Sequence, residues 1–131
     1  MRYKALVVDD QESVRTLLAR ILEDEGYDVA QASNGVDGLR RVRVYQPHLV
    51  ITNHDMPGMK GAEMVRDLRD KESFTGKICM MSGNPDLKKE LPHYGIPQGR
   101  EAEFVDAFIE KPFRVQEFRA MLSGLFSGQP R

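Results

Sequence analysis

The chain has 131 residues, with 19 basic and 20 acidic side chains, three histidines and a formal net charge of −1. With 40% hydrophobic and 30% charged residues, it has the profile of one globular domain, long enough to cover about two thirds of its unfolded surface. The charge balance gives no basic excess for nucleic acid and no acidic solvating tail, and a single cysteine, Cys79, excludes an intrachain disulfide and fits a reducing compartment.

The start, "MRYKALVVDD", lacks the long apolar segment and cleavage site of a signal peptide. No stretch approaches the roughly 20 apolar residues of a membrane span. A cytoplasmic protein without membrane contact is expected. Ala5 to Val8 form a short apolar run that ends in Asp9 and Asp10, consistent with a buried parallel strand. Val14, Leu17, Leu18, Ile21 and Leu22 then recur as one apolar stripe of a helix, with Asp10 or Ser13 as candidate caps and Gly26 as the stop. "YDVAQA" is a second strand. The next helix is capped by Ser33, buries Val36, Leu39 and Val42, and stops at Pro47. "HLVITN" is the third strand, and Met64, Val65 and Leu68 mark the third helix. "KICMMS" is the fourth strand, "FVDAFIE" (104–110) the fifth, and Val115 to Phe126 the last helix. Residues 127–131 are expected to fray.

Between Ser82 and Phe104 the rhythm breaks. Pro85, Pro92, Pro97, Gly95 and Gly99 allow only a turn or two of helix over Asp86 to Leu91. Pro85 suits its first position and Pro92 its end. A surface insertion and a modified partner surface both fit this segment.

Five strands alternating with helices predict an α/β fold: a parallel sheet covered on both faces. Right-handed crossovers favour the flavodoxin-like (βα)5 doubly wound sandwich with strand order 2-1-3-4-5. Ligands of such sheets bind at the carboxyl ends of the strands. Those ends carry Asp9 and Asp10, Asn53, Ser82 and Lys111. Any one of these alone reads as a cap, a turn residue or a solvated charge. Jointly, an acid pair that needs a cation, with a hydroxyl and an ammonium opposite, suits Mg²⁺ and a phosphoryl group.

Four motifs in order, "LVVDD" (6–10), "MPGMKG" (56–61), "MMSG" (80–83) and "EKPF" (110–113), give the chain a resemblance over nearly its whole length to the receiver domain of two-component response regulators, of the chemotaxis-regulator kind. The resemblance implies that the acid pair, Asp9 and Asp10, binds Mg²⁺. It implies that Ser82 hydrogen-bonds the phosphoryl group, that Lys111 pairs with its charge through a cis Lys111–Pro112 bond, and that Phe108 is the switching aromatic. The family's phosphoacceptor aspartate, three residues before the methionine of the "MP" motif, is Asn53 here.

An amide oxygen is a poor nucleophile, so Asn53 is not expected to form an acyl phosphate. Mg²⁺ is expected to bind more weakly, with Asp10, the Asn53 side-chain oxygen and the backbone carbonyl of Asp55 as ligands implied by the resemblance. Asp55 is a poor substitute acceptor, because the Met-Pro turn bends the chain after it. The next residue after Asn53 is His54, not glycine, which disfavours deamidation to aspartate. Two origins fit Asn53: a natural phosphorylation-independent receiver, or an engineered substitution in an ordinary one. The presence of Asp9, Asp10, Ser82 and Lys111 tilts toward a single recent change.

His48, His54 and His93 lack zinc-binding spacing. Cys79, mid-strand, reads as a core thiol. "GVDG" and "SGNP" are turns, since neither has the ending of a phosphate loop. The expectation is a stand-alone receiver domain over 1–126 that is not an enzyme and binds no DNA directly. It would act in phosphorelay signalling through a histidine kinase or phosphotransfer protein and an unidentified downstream target. The alternative is a small flavodoxin-like enzyme or nucleotide-binding protein, against which "DDQES" after the first strand would repel phosphate.

Overall fold

In the computed structural model, residues 2–126 are described, so the expected frayed tail at 127–131 lies outside the described residues. The strands are β1 (Lys4–Val8), β2 (Asp28–Ala32), β3 (Leu49–Asn53), β4 (Lys77–Ser82) and β5 (Ala107–Glu110). All neighbouring pairs are parallel, in the order β2-β1-β3-β4-β5. The helices are α1 (Glu12–Asp24), α2 (Gly35–Tyr45), α3 (Gly61–Asp70), α4 (Leu87–Glu90) and α5 (Val115–Leu125). This is the flavodoxin-like doubly wound fold that the alternation of strand and helix signals predicts.

The central strands read as continuous apolar runs because both of their faces are buried. Leu6, Val8, Val50, Ile78 and Met80 face one layer, packed against Val42 of α2 and Met64, Val65 and Leu68 of α3. Ala5, Val7, Leu49, Ile51, Cys79 and Met81 face the other, packed against Leu18 and Leu22 of α1 and Phe118 and Leu122 of α5. Gly38 lets α2 lie close on the sheet: a Cβ there would come within 2.8 Å of the Met64 sulfur and 3.2 Å of a Val8 methyl.

Several local expectations are corrected. Leu17 is 51% exposed and Val36 65% exposed. The buried face of α1 is centred on Leu18, Ile21 and Leu22, and Leu17 lies at its margin. Val36, in the first turn of α2, lies off the buried face formed by Gly35, Gly38 and Val42. Neither Asp10 nor Ser13 caps α1. Its N-cap is Gln11, which makes no side-chain cap bond; instead Asp9 Oδ1 accepts from the Gln11 N–H at 2.9 Å. Asn34 rather than Ser33 caps α2, its side chain accepting from the Asp37 N–H. That helix ends at Gln46, in left-handed backbone (φ 52°), just before Pro47.

The long connection after β4 is built into the core. Pro85 lies ahead of the α4 N-cap, Asp86. The α-helix stops at Glu90, with Leu91 as its C-cap, ahead of Pro92 as expected, and Pro92 then sits in the first turn of a 3-10 segment, Leu91–Tyr94, where a missing N–H costs nothing. Gly95, at φ 88°, closes it. A second 3-10 turn follows at Glu101–Glu103. Leu87, Leu91, Ile96, Phe104 and Val105 are buried in the core and anchor the segment, while Pro92, His93 and residues 98–100 between them stay on the surface. The fifth strand begins at Ala107, not Phe104. Before it, the Asp106 carboxylate accepts from the Ile78 N–H at 2.8 Å and from Arg69 at 3.1 Å. Arg69 also donates to the carbonyls of Phe104, Phe74 and Gly76, which ties the end of α3 to the start of β4 and to the approach to β5.

Candidate functional site

The ladder continues for one residue past several strands, and that sets the polar groups along one edge of the sheet. Asp9 N–H donates to Ala32 carbonyl at 3.1 Å, His54 N–H to Met81 carbonyl at 2.9 Å, and Lys111 N–H to Ser82 carbonyl at 2.8 Å. Register pairs Val8 with Thr52, Asn53 with Met81 and Ser82 with Glu110. Asp9, Asn53, Ser82 and Lys111 therefore share the carboxyl-end basin that the strand order predicts.

Asp9 is fully buried. Its Oδ2 faces Lys111 Nζ at 3.2 Å, and the Arg15 guanidinium donates to its backbone carbonyl at 2.8 Å. A carboxylate without contact with water needs this cation. Asp10, the other half of the pair, is exposed and free to meet a ligand from solvent. The Lys111–Pro112 bond is cis, as the resemblance implies.

Asn53 is 6% exposed. Its Nδ2 donates to the backbone carbonyl of Asp55 at 2.9 Å. A carboxylate cannot make this bond, so the amide is integrated into the turn that follows β3. With its nitrogen committed there, the amide has only its oxygen to offer a cation. Thr52 Oγ1 donates to the Asn53 carbonyl at 2.9 Å. Gly61, the first residue of α3, lies directly under this strand end. A Cβ there would overlap the Asn53 carbonyl oxygen and stand 2.8 Å from the His54 Cα, so only glycine lets α3 begin this close. The His54 N–H, whose nitrogen would have to attack the Asn53 side chain in deamidation, is held in the ladder by Met81.

Ser82 is buried. Its hydroxyl donates to Asp55 Oδ2 at 3.0 Å and accepts from the Asn84 N–H at 3.0 Å. The Asp55 carboxylate is thus drawn to Ser82, a role that sequence reasoning did not find. Phe108 is half-buried, and the Lys88 ammonium lies over its ring, 4.9 Å from the centroid. Ser82, Asn84, Leu87, Lys88 and Phe108 line one groove of about 270 Å³. A wider cleft of about 770 Å³, between Tyr3, His48, Phe74 and Phe126, lies at the amino ends of the strands and contains none of these groups.

Two of the three histidines have structural partners. His48 Nδ1 accepts from the Lys4 N–H at 3.0 Å. His54 is 2% exposed, its Nδ1 accepts from the Ala62 N–H at 3.2 Å, and its ring meets Tyr94 edge-on at 5.0 Å. Burial holds its pKa below the ordinary histidine value. Cys79 is buried in the core, and burial pushes its thiol up to about 12, which suits an inert core residue.

A model of the response regulator receiver domain matches residues 5–123. The chain belongs to the response regulator receiver domain family. It is 31% identical to the alkaline phosphatase synthesis transcriptional regulatory protein PhoP of Bacillus subtilis, over 95% of this chain and 49% of that protein. It is 32% identical to sporulation initiation phosphotransferase F of the same organism, over 91% of this chain and 90% of that protein. The chain spans about half the length of the first curated relatives it matches, PhoP and the DNA-binding response regulator MtrA of several mycobacteria. Chemotaxis protein CheY4 of Vibrio cholerae superposes with a TM-score of 0.79 at 26% identity, covering 95% of this chain and 99% of that one. Receiver domains are signalling modules that meet histidine kinases or phosphotransfer proteins, and they bind Mg²⁺ at their acidic site. No helix of the described residues is long and apolar enough to cross a membrane.

Proposed function

We propose that this receiver signals by protein contact and that Asn53 stands where its family carries the phosphoacceptor aspartate. The observation behind this is the basin itself: Asp9 salt-bridged to Lys111, Ser82 on the neighbouring strand, and Asn53 between them with its amide nitrogen hydrogen-bonded to the chain. In this reading Ser82 and Lys111 are the groups that would meet a phosphoryl oxygen. Phe108 is the aromatic that reports on them to the α4–β5 face. Asn53 supplies no nucleophile, so the chain as written forms no acyl phosphate.

The oxygen donors fit a hard divalent cation that retains several waters. Asp9 and Asp10 would hold Mg²⁺, with the Asn53 side-chain oxygen and the Asp55 carbonyl completing the protein ligands. When bound, the ion would supply positive charge against a phosphoryl group. Asn53 weakens this set twice: it lacks a carboxylate charge, and its nitrogen already occupies one side of the Asp55 carbonyl. Lys111, at 3.2 Å from Asp9, is the cation that faces the buried acid within the chain itself.

The match over 90% of sporulation initiation phosphotransferase F supports a receiver that works as a module of its own, in the cytoplasm, between a histidine kinase or phosphotransfer protein and a protein target. Both origins of Asn53, natural and engineered, give the same chemistry. The test is incubation with acetyl phosphate and Mg²⁺, read by intact mass, for this chain and for Asn53→Asp. A phosphoryl group gained only by Asn53→Asp supports the reading. Labelling of the Asn53 chain overturns it.

A further inference from the structure

The hydrogen bonds around Ser82 form one contiguous path from the end of β3 to the end of α4. Asn53 Nδ2 donates to the Asp55 carbonyl at 2.9 Å. Ser82 Oγ donates to Asp55 Oδ2 at 3.0 Å. Asn84 N–H donates to Ser82 Oγ at 3.0 Å. The Asn84 side chain then divides: its Nδ2 donates to Glu90 Oε2 at 2.7 Å, and its Oδ1 accepts from the Asp86 N–H at 2.9 Å. Each link between strand and helix is a side chain, and two of them end on carboxylates, the stronger class of hydrogen bond.

We infer that Asp55 is an internal latch: its carboxylate engages the Ser82 hydroxyl and, through Asn84 and Glu90, fixes α4 without a phosphoryl group. Asp55 is exposed, yet its carboxylate turns back to a hydroxyl that is 4% exposed. The hydroxyl proton is thus directed to Asp55, and the Ser82 oxygen is left to accept from the Asn84 N–H. The amide at position 53 favours the arrangement. Its N–H₂ holds the Asp55 backbone, whereas a carboxylate there would repel both that carbonyl and the Asp55 side chain. The same path borders the groove that contains Phe108 and Lys88, so the latch sets the surface that α4 and β5 present. The inference rests on the receiver reading for its meaning as a signal, but not for its physical content.

The experiment is residue-resolved amide hydrogen exchange by NMR on the chain as it stands, with no phosphoryl donor, for Asp55→Ala, Asp55→Asn, Ser82→Ala and the Asp55→Ala/Ser82→Ala double variant. Amides of β1 and β3 serve as the control for an intact fold. Loss of one charge-assisted hydrogen bond corresponds to about tenfold faster opening, so Asp55→Ala is expected to speed exchange at Asn84 and Asp86 by about that factor. Asp55→Asn keeps an oxygen acceptor for Ser82 and is expected to restore most of the protection. Ser82→Ala, which also removes the acceptor of the Asn84 N–H, is expected to speed exchange at least as much as Asp55→Ala, and the double variant to match Ser82→Ala. Unchanged exchange at Asn84 and Asp86 in Asp55→Ala, or additive effects in the double variant, would overturn the latch. Neither result bears on acetyl phosphate labelling of Asn53→Asp, so failure of the latch and failure of the receiver reading are separable.

Discussion

Replacing Asn53 by aspartate should destabilise the metal-free protein and make its stability depend on Mg²⁺. Asn53 is 6% exposed, and its N–H₂ donates to the Asp55 carbonyl at 2.9 Å. Aspartate loses that bond and turns an ionised oxygen toward the same carbonyl. It also places a second carboxylate near Asp9, which is fully buried and has the Lys111 ammonium at 3.2 Å as its cation partner. A lost hydrogen bond to the Asp55 carbonyl, together with like-charge repulsion beside the buried Asp9, amounts to about 1–3 kcal/mol. Mg²⁺ offsets this, since saturation at about 100 times Kd adds about 2.7 kcal/mol to whichever form binds it. The chain has no tryptophan, so urea unfolding followed by far-UV circular dichroism, with and without Mg²⁺, is the suitable assay. The expected result is a lower midpoint for Asn53→Asp without Mg²⁺ and a larger Mg²⁺-induced rise than in the parent. Equal midpoints without Mg²⁺, or equal rises in both proteins, would refute the electrostatic account of the basin.

Three further outcomes are expected. Arg69→Met removes the donor to three backbone carbonyls and to Asp106 and should lower stability by about 3 kcal/mol, read as a shift in urea midpoint. Leu91→Ala should cost about 2–5 kcal/mol because Leu91 is fully buried; a change below about 0.5 kcal/mol would return the long connection to the surface. His54 carries a pKa lowered by burial, so below about pH 6.5 the unfolded chain takes up a proton that the folded chain resists. Its contribution is complete above that pH and declines as pH falls toward the folded value. His54→Gln should therefore flatten the loss of stability just below pH 6.5, measured against the parent across the same buffers.

Much of this was legible because burial on both faces writes a strand as an unbroken apolar run. Val50 and Ile51, or Cys79 and Met80, announce a central strand without any partner in view. Polar residues that end such runs fall at one edge of the sheet, which is how Asp9, Asn53, Ser82 and Lys111 could be grouped. What failed depends on side chains meeting across turns. The bend at the Met-Pro turn argues against Asp55 as an acceptor but does not reveal that its carboxylate takes the Ser82 hydroxyl. Asn84 looked like one residue of an ordinary turn, yet it joins β4 to α4. The start of β5 was set too early because Phe104 and Val105 are as apolar as strand residues, while Asp106 bonds to Ile78 by its side chain. Pro92 does mark the end of α4 at Glu90, but proline costs little in the first turn of a new helix, so a 3-10 turn continues through Tyr94 that the proline alone does not announce.

The central claim is that position 53 alone separates this receiver from one that accepts phosphate. Intact mass after incubation with acetyl phosphate and Mg²⁺ tests it most directly. The account predicts one labile phosphoryl group on Asn53→Asp and none on the chain as written. A phosphoryl group on the Asn53 chain, or none on either protein, would contradict it.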